Sequence, residues 1–271
     1  MMTMDLKGQG RAAIVLVLLA GLIFALYRWT DPSVQPLPEF SAIEDVEQRK
    51  AAFFGYLAPL VAAENRRILG QRERLTNLID QIEAGQALAP LSRHWLEELA
   101  REYELQWPGS SPEATAAELL ERVDALPIGL ALVQAAKESG WGQSRFARQG
   151  NNLFGQWCYE PGCGIVPTRR LTDASHEVAA FDSARASVRR YLNNLNSHES
   201  YRPLRARRRA ARQSGTTASA LELAEELVLY SERREAYVED IKAMLHANHS
   251  LIRAAQGAVA GSAKTTLETG T

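Results

Sequence analysis

A helix forced to stop just behind a glutamate is the tightest constraint in this chain. Pro127, a residue type favoured in the first helical turn, opens an apolar pattern of Ile128, Ala131, Leu132, Ala135 and Ala136. The pattern ends in Glu138-Ser-Gly-Trp-Gly142, where Ser139-Gly140 and Gly142 break the helix. Glu138 therefore falls at the carbonyl end of an apolar helix, with Trp141 as an aromatic wall beside it. The negative end of the helix dipole and partial desolvation both disfavour the charged form, so its pKa is expected to rise. A carboxylic acid that holds its proton near neutral pH serves as a general acid. Periodicity alone also fits, and by frequency favours, a surface glutamate ahead of a glycine stop.

Upstream, the chain reads as an anchor, a spacer and a helical annex. Ala12 to Tyr27 carries no charge and is strongly apolar, with Lys7 and Arg11 before it and Arg28 and Trp29 after it. Snorkelling ends let so short a run span a bilayer. No small-x-small site precedes Asp31, which favours an uncleaved signal anchor over a cleaved signal peptide. Residues 1–30 are thus read as a cytoplasmic stub and single-pass anchor contacting the cytoplasmic membrane through 12–29, with the rest of the chain on the extracytoplasmic side. Pro32, Pro36 and Pro38 mark 31–40 as an extended linker. Ser41 to Glu44 has capping-box spacing for a helix that Pro59 is expected to interrupt or kink. Val61, Ile68, Leu75 and Ile82 recur every seven residues, while Glu64, Arg66, Arg67 and the Arg72 to Arg74 cluster cover the other face. Stripes at Trp95, Leu96, Leu99, Ala100 and Tyr103, and at Leu119, Leu120 and Val123, complete an annex over 41–126.

Downstream of the glutamate the helical stripe disappears between Gly155 and Ala180. Ile165-Val166 and Glu177 to Phe181 are the short strand-like runs there, so a small β lobe is expected. A capped helix follows at Asp182 or Ser183. Arg202, Arg205, Arg207, Arg208, Arg209 and Arg212 then crowd into eleven residues, a pattern of a solvated helix face or of a surface steered to anionic lipid headgroups or peptide carboxylates. The formal net charge of −1 over 271 residues and the lack of interleaved aromatics argue against nucleic acid. Helical stripes run on to about 248, and the Ala-, Gly-, Thr- and Ser-rich remainder, 249–271, reads as a disordered tail. The five histidines form no zinc-protease motif, and neither metal nor cofactor is expected.

Glu138-Ser-Gly-Trp-Gly142 followed by Asn151-Asn-Leu-Phe-Gly155 resembles the signature of the glucosaminidases of glycoside hydrolase family 73. The run through Cys158, Gly162-Cys-Gly164 and Val166-Pro167 resembles more narrowly the bacterial Bax-type members, which are membrane-anchored. The resemblance implies a mainly α, lysozyme-like catalytic domain over 127–248 with a small β lobe. It also implies hydrolysis of peptidoglycan glycan strands after N-acetylglucosamine on the periplasmic side, with Glu138 as acid. A lobe glutamate is proposed to act as second acid or base in the family, and Glu177 resembles it best, although Val178 stands where the family usually carries an aromatic; Asp173 and Glu160 are the other acids of that stretch. Leu229 to Tyr237 resembles the family's Tyr-Ala-Thr-Asp-x-x-Tyr stretch, which gives Tyr230 a place at the active site and leaves Tyr237 to core packing. Either a second carboxylate or the substrate's own acetamido oxygen completes such a reaction. Asn152, Phe154 and Trp157, with Trp141, are expected to line the sugar groove, against the alternative of buried aromatics and a turn-making asparagine. Cys158 and Cys163 can close a small ring on an oxidising side of the membrane; free thiols and a metal site are the alternatives. Rival functions are a lytic transglycosylase, a peptide-stem amidase and a non-catalytic wall-binding module.

Overall fold

One long helix carries the rest of the architecture. In the computed structural model, which describes residues 37–168 and 175–268, α1 (Val46–Glu83) runs for 38 residues. Asp45 caps it, accepting from the Gln48 amide at 2.8 Å. Phe40–Ala42 forms a separate 3-10 turn, so the Ser41 to Glu44 spacing does not open the helix. The seven-residue series Val61, Ile68, Leu75 and Ile82 is buried throughout. Pro59 lies inside α1 and does not end it, so the expected interruption does not occur. A proline within a helix costs about 3 kcal/mol. Burial of Leu57, Leu60 and Val61 around it offsets that at roughly 1.5–3 kcal/mol per side chain.

The chain continues through α2 (Pro90–Glu102), α3 (Pro112–Arg122), α4 (Ile128–Ser139) and α5 (Arg145–Gly150) into the small sheet. After it come α6 (Ala184–Ser197), α7 (Arg202–Gln213), α8 (Ala220–Glu225), α9 (Glu235–Ala247) and α10 (His249–Glu268). Helix α1 packs on α3, α4, α6 and α10, while α4 also packs on α8 and α9. A continuous apolar cluster runs from Phe40 to Ala255, so the annex and the downstream helices share one core. The mainly α, lysozyme-like architecture with a small β lobe is what the structure shows.

Three expectations are corrected. The charged face of α1 is in part an interface: Glu64 is fully buried and accepts from Arg67 at 2.9 Å, Arg185 at 2.5 Å and Arg189 at 2.9 Å. Burial alone would raise its pKa, but the guanidinium hydrogen bonds prevail and hold it down at about 2. The arginine-rich segment, α7, is not simply a solvated face. Arg205 and Arg208 are buried, and Arg208 donates to the carbonyls of Glu121 and Asp124 and to Asn196, clamping α7 to the end of α3. The expected tail is helical to Glu268, because Ile252 and Ala255 are buried and Val259 packs on the same cluster, an i, i+3, i+7 stripe hidden among alanines and glycines.

The β lobe is a three-stranded antiparallel sheet in the order β1 (Trp157–Cys158), β3 (Glu177–Ala179), β2 (Gly164–Ile165). Cys158 pairs with Glu177 and Gly164 with Ala179. A Cβ at Gly164 would stand 2.1 Å from the Val178 carbonyl oxygen, so only glycine permits this approach. Cys158 and Cys163 are disulfide-bonded. Among the described residues no helix is long and apolar enough to cross a membrane. The expected anchor at 12–29, the first part of the linker and Asp173 lie outside the described residues.

Candidate active site

The sequence of α4 makes its own stop. Ser139 turns its hydroxyl back to the Ala135 carbonyl at 2.6 Å and accepts from the Gly142 amide at 2.8 Å. Gly140, Trp141 and Gly142 follow in succession with positive φ. A left-handed conformation is unfavourable for a bulky residue such as Trp141. It is held here by packing: its ring lies 5.1 Å from Phe54 and 5.9 Å from Phe53 of α1. At Gly142 a Cβ would meet Phe40 at 2.6 Å. The aromatic expected to face the sugar therefore presents its ring to the annex and fastens the end of α4 to α1.

Glu138, on the last turn of α4, is half-buried. Desolvation raises its pKa above the ordinary carboxylate value, against the opposing influence of the Tyr237 hydrogen bond and the Lys137 charge. Tyr237 donates to Oε1 at 2.9 Å. On the other side, Oε2 lies 3.8 Å from where a Cβ of Gly155 would stand. This glycine, with φ +66°, brings its backbone alongside the carboxylate in a left-handed turn.

The hydroxyl that reaches Glu138 is that of Tyr237, the tyrosine expected to serve only in core packing. Tyr230 stacks on it, with ring centroids 5.3 Å apart and planes at 15°, and points its own hydroxyl to the Phe154 carbonyl at 3.5 Å. Both phenol pKa values are raised, chiefly by burial. Tyr237 in turn accepts from Gln134, a buried side chain that sequence reasoning passed over. One signal could have found it: Gln134 is a polar residue in an otherwise apolar helix, four positions before Glu138 and hence on its face.

The loop after α5 is built by its asparagines. Asn151 adopts a left-handed conformation to close α5 and donates to the Phe181 carbonyl. Asn152 is almost wholly buried; its amide nitrogen donates to the Gln156 and Ala179 carbonyls, and its oxygen accepts from the Phe154 and Gln156 amides. It staples the loop to β3 rather than presenting its amide to a ligand. Phe154 is buried and stacked on Tyr191 at 3.9 Å. Trp157 is the aromatic of this group that stays open, 52% exposed and stacked on His176 at 4.0 Å, with a face suited to sugar C–H surfaces. Glu177 is buried, and its carboxylate accepts from the Gly162 and Gly164 amides at 3.1 and 2.8 Å, so it braces the turn closed by the disulfide.

The family model described as Glucosaminidase, mannosyl-glycoprotein endo-beta-N-acetylglucosaminidase, matches residues 113–250. The chain is also 32% identical over 218 residues to Protein bax of Escherichia coli (strain K12), across 80% of this chain and 76% of that protein. No solved structure matches it significantly.

Proposed function

The chain belongs to the glucosaminidase family of glycoside hydrolase-type enzymes, and from that membership we propose that it cleaves peptidoglycan glycan strands after N-acetylglucosamine with Glu138 as general acid. The observation that carries this reading is the raised pKa of Glu138 on a helix end, with Oε1 held by Tyr237 and Oε2 on the side of the Gly155 backbone. Glu138 protonates the glycosidic oxygen as the C1–O bond breaks. The acetamido oxygen of the same sugar attacks C1, giving a cyclic intermediate that water opens, with the Glu138 carboxylate accepting the water's proton. Two features support the acetamido group as nucleophile. Among the described residues, which exclude Asp173, the influences resolved on Glu138 are burial, Tyr237 and Lys137 and include no carboxylate, and the Glu177 carboxylate is engaged by the lobe's own amides. Trp157 supplies a stacking face for a neighbouring sugar. The anchor at 12–29 would hold the enzyme on the periplasmic face of the cytoplasmic membrane.

The test is mass spectrometry of the chain ends released from purified peptidoglycan by the full-length protein and by Glu138→Gln. Reducing N-acetylglucosamine ends are expected, reduced by several orders of magnitude in the variant. Anhydro-muramic ends would instead assign the protein to the lytic transglycosylases. Wall binding by both versions, with no new ends, would leave a binding module.

A further inference from the structure

The hydrogen bonds behind Glu138 all run one way. Gln134 is buried. Its Oε1 accepts from the Tyr191 hydroxyl at 2.6 Å, and its Nε2 donates to the Tyr237 oxygen at 3.0 Å. A phenol has one proton to give. With an N–H already aimed at its oxygen, Tyr237 directs that proton to Oε1 of Glu138 at 2.9 Å. A reversed Gln134 amide would offer Tyr237 an oxygen, draw the proton away from Glu138 and turn an N–H toward Tyr191, whose own proton would then lack this acceptor. Tyr191 is held in turn by burial and by its stack on Phe154.

We propose, resting on the assignment of Glu138 as the acid, that Gln134 and Tyr191 are positioning residues that keep Oε1 of Glu138 a hydrogen-bond acceptor, so that Oε2, the oxygen beside Gly155, carries the acidic proton. A carboxylic acid has two places for its proton; Tyr237 takes one of them, Oε1, and the other, Oε2, lies on the Gly155 side. The relay therefore aims the acid as well as stabilising its conjugate base, because the Tyr237 hydrogen bond stays in place once the Oε2 proton has passed to the glycosidic oxygen. Neither Gln134 nor Tyr191 touches the reacting atoms. Among the described residues, the titratable and charged groups facing Glu138 are the hydroxyls of Tyr191, Tyr230 and Tyr237 and the neighbouring Lys137. Lys137 is paired with Asp240 of α9 at 2.7 Å, and Asp240 also takes Arg233.

The experiment is a carbon NMR titration of the Glu138 carboxyl in the full-length protein labelled at glutamate, with the signal assigned by its loss in Glu138→Gln. Removing a donor from the carboxylate disfavours its charged form, so Tyr237→Phe raises the midpoint. Tyr191→Phe, which keeps the ring on Phe154 and leaves both Glu138 and Tyr237 chemically intact, raises it in the same direction by about half a pH unit or more. The double variant matches Tyr237→Phe alone, because the two changes break one chain of hydrogen bonds. An unmoved midpoint in Tyr191→Phe, or shifts that add in the double variant, overturns the proposal. The titration uses no substrate, so its result is separate from whether peptidoglycan is cut. In an active enzyme the alkaline limb of the kcat/KM profile moves with the midpoint, whereas a merely structural role would lower the rate at every pH.

Discussion

Glu138 is an acid kept where ionisation is unfavourable, and the cost appears in stability. Its pKa is raised in the folded protein, so its contribution is fully present below the unfolded value and is lost as pH rises through the folded one. Replacing it with glutamine removes that loss. Glu138→Gln is expected to melt at a higher temperature than the parent at pH 7, with the gap closing toward pH 4; calorimetry at the two pH values checks this. An equal offset at both would mean that Glu138 titrates normally. The glutamate itself was legible because its address is written in sequence, in a proline-opened helix stopped by glycines. Tyr237 was not, since its partner lies 99 positions away. Periodicity assigns a tyrosine to a buried face and says nothing about where its hydroxyl points. Tyr230 and Tyr237 stack nearly parallel, so only the fold could tell which of them donates to the acid.

Two devices brace one turn of the β lobe, the Cys158–Cys163 bond and the Glu177 carboxylate on the amides either side of Cys163. A disulfide closing so short a loop adds only about 2–3 kcal/mol by restricting the unfolded chain, and Glu177 shares the work. Replacing both cysteines by serine should therefore raise amide hydrogen exchange in 157–165 while leaving α4 and α6 protected. Loss of protection in those helices as well would show the lobe to be part of the main cooperative unit. The sequence marked a lobe here through its glycines, prolines and cysteines. It did not reveal β1, two residues long, which exists because β3 offers it an edge. Conversely, α7 looked solvated because an arginine count is blind to partners: Arg208 is satisfied by backbone carbonyls in and just beyond the last turn of α3, which no charge pattern predicts.

The 38-residue α1 runs alongside helices from both halves of the chain, and the core it organises includes Phe53 and Phe54 beneath Trp141. Hydrophobic periodicity was sufficient to find that helix. It could not find the continuity through Pro59, nor the packing that merges the annex with the rest, because both depend on surfaces brought together only in the folded chain. Residues 113–268, which begin where the family match begins, should not fold alone. Circular dichroism should give no cooperative melt for that fragment, and adding residues 37–112 as a separate polypeptide should restore one. A sharp transition in the fragment by itself would contradict the shared core. Trp141 has a further consequence. Its left-handed backbone is tolerable only while two phenylalanines from some ninety residues upstream grip its ring, so the signature cannot be transplanted as a motif. A scaffold given these five residues without the long helix would need another grip on the indole to hold the same turn.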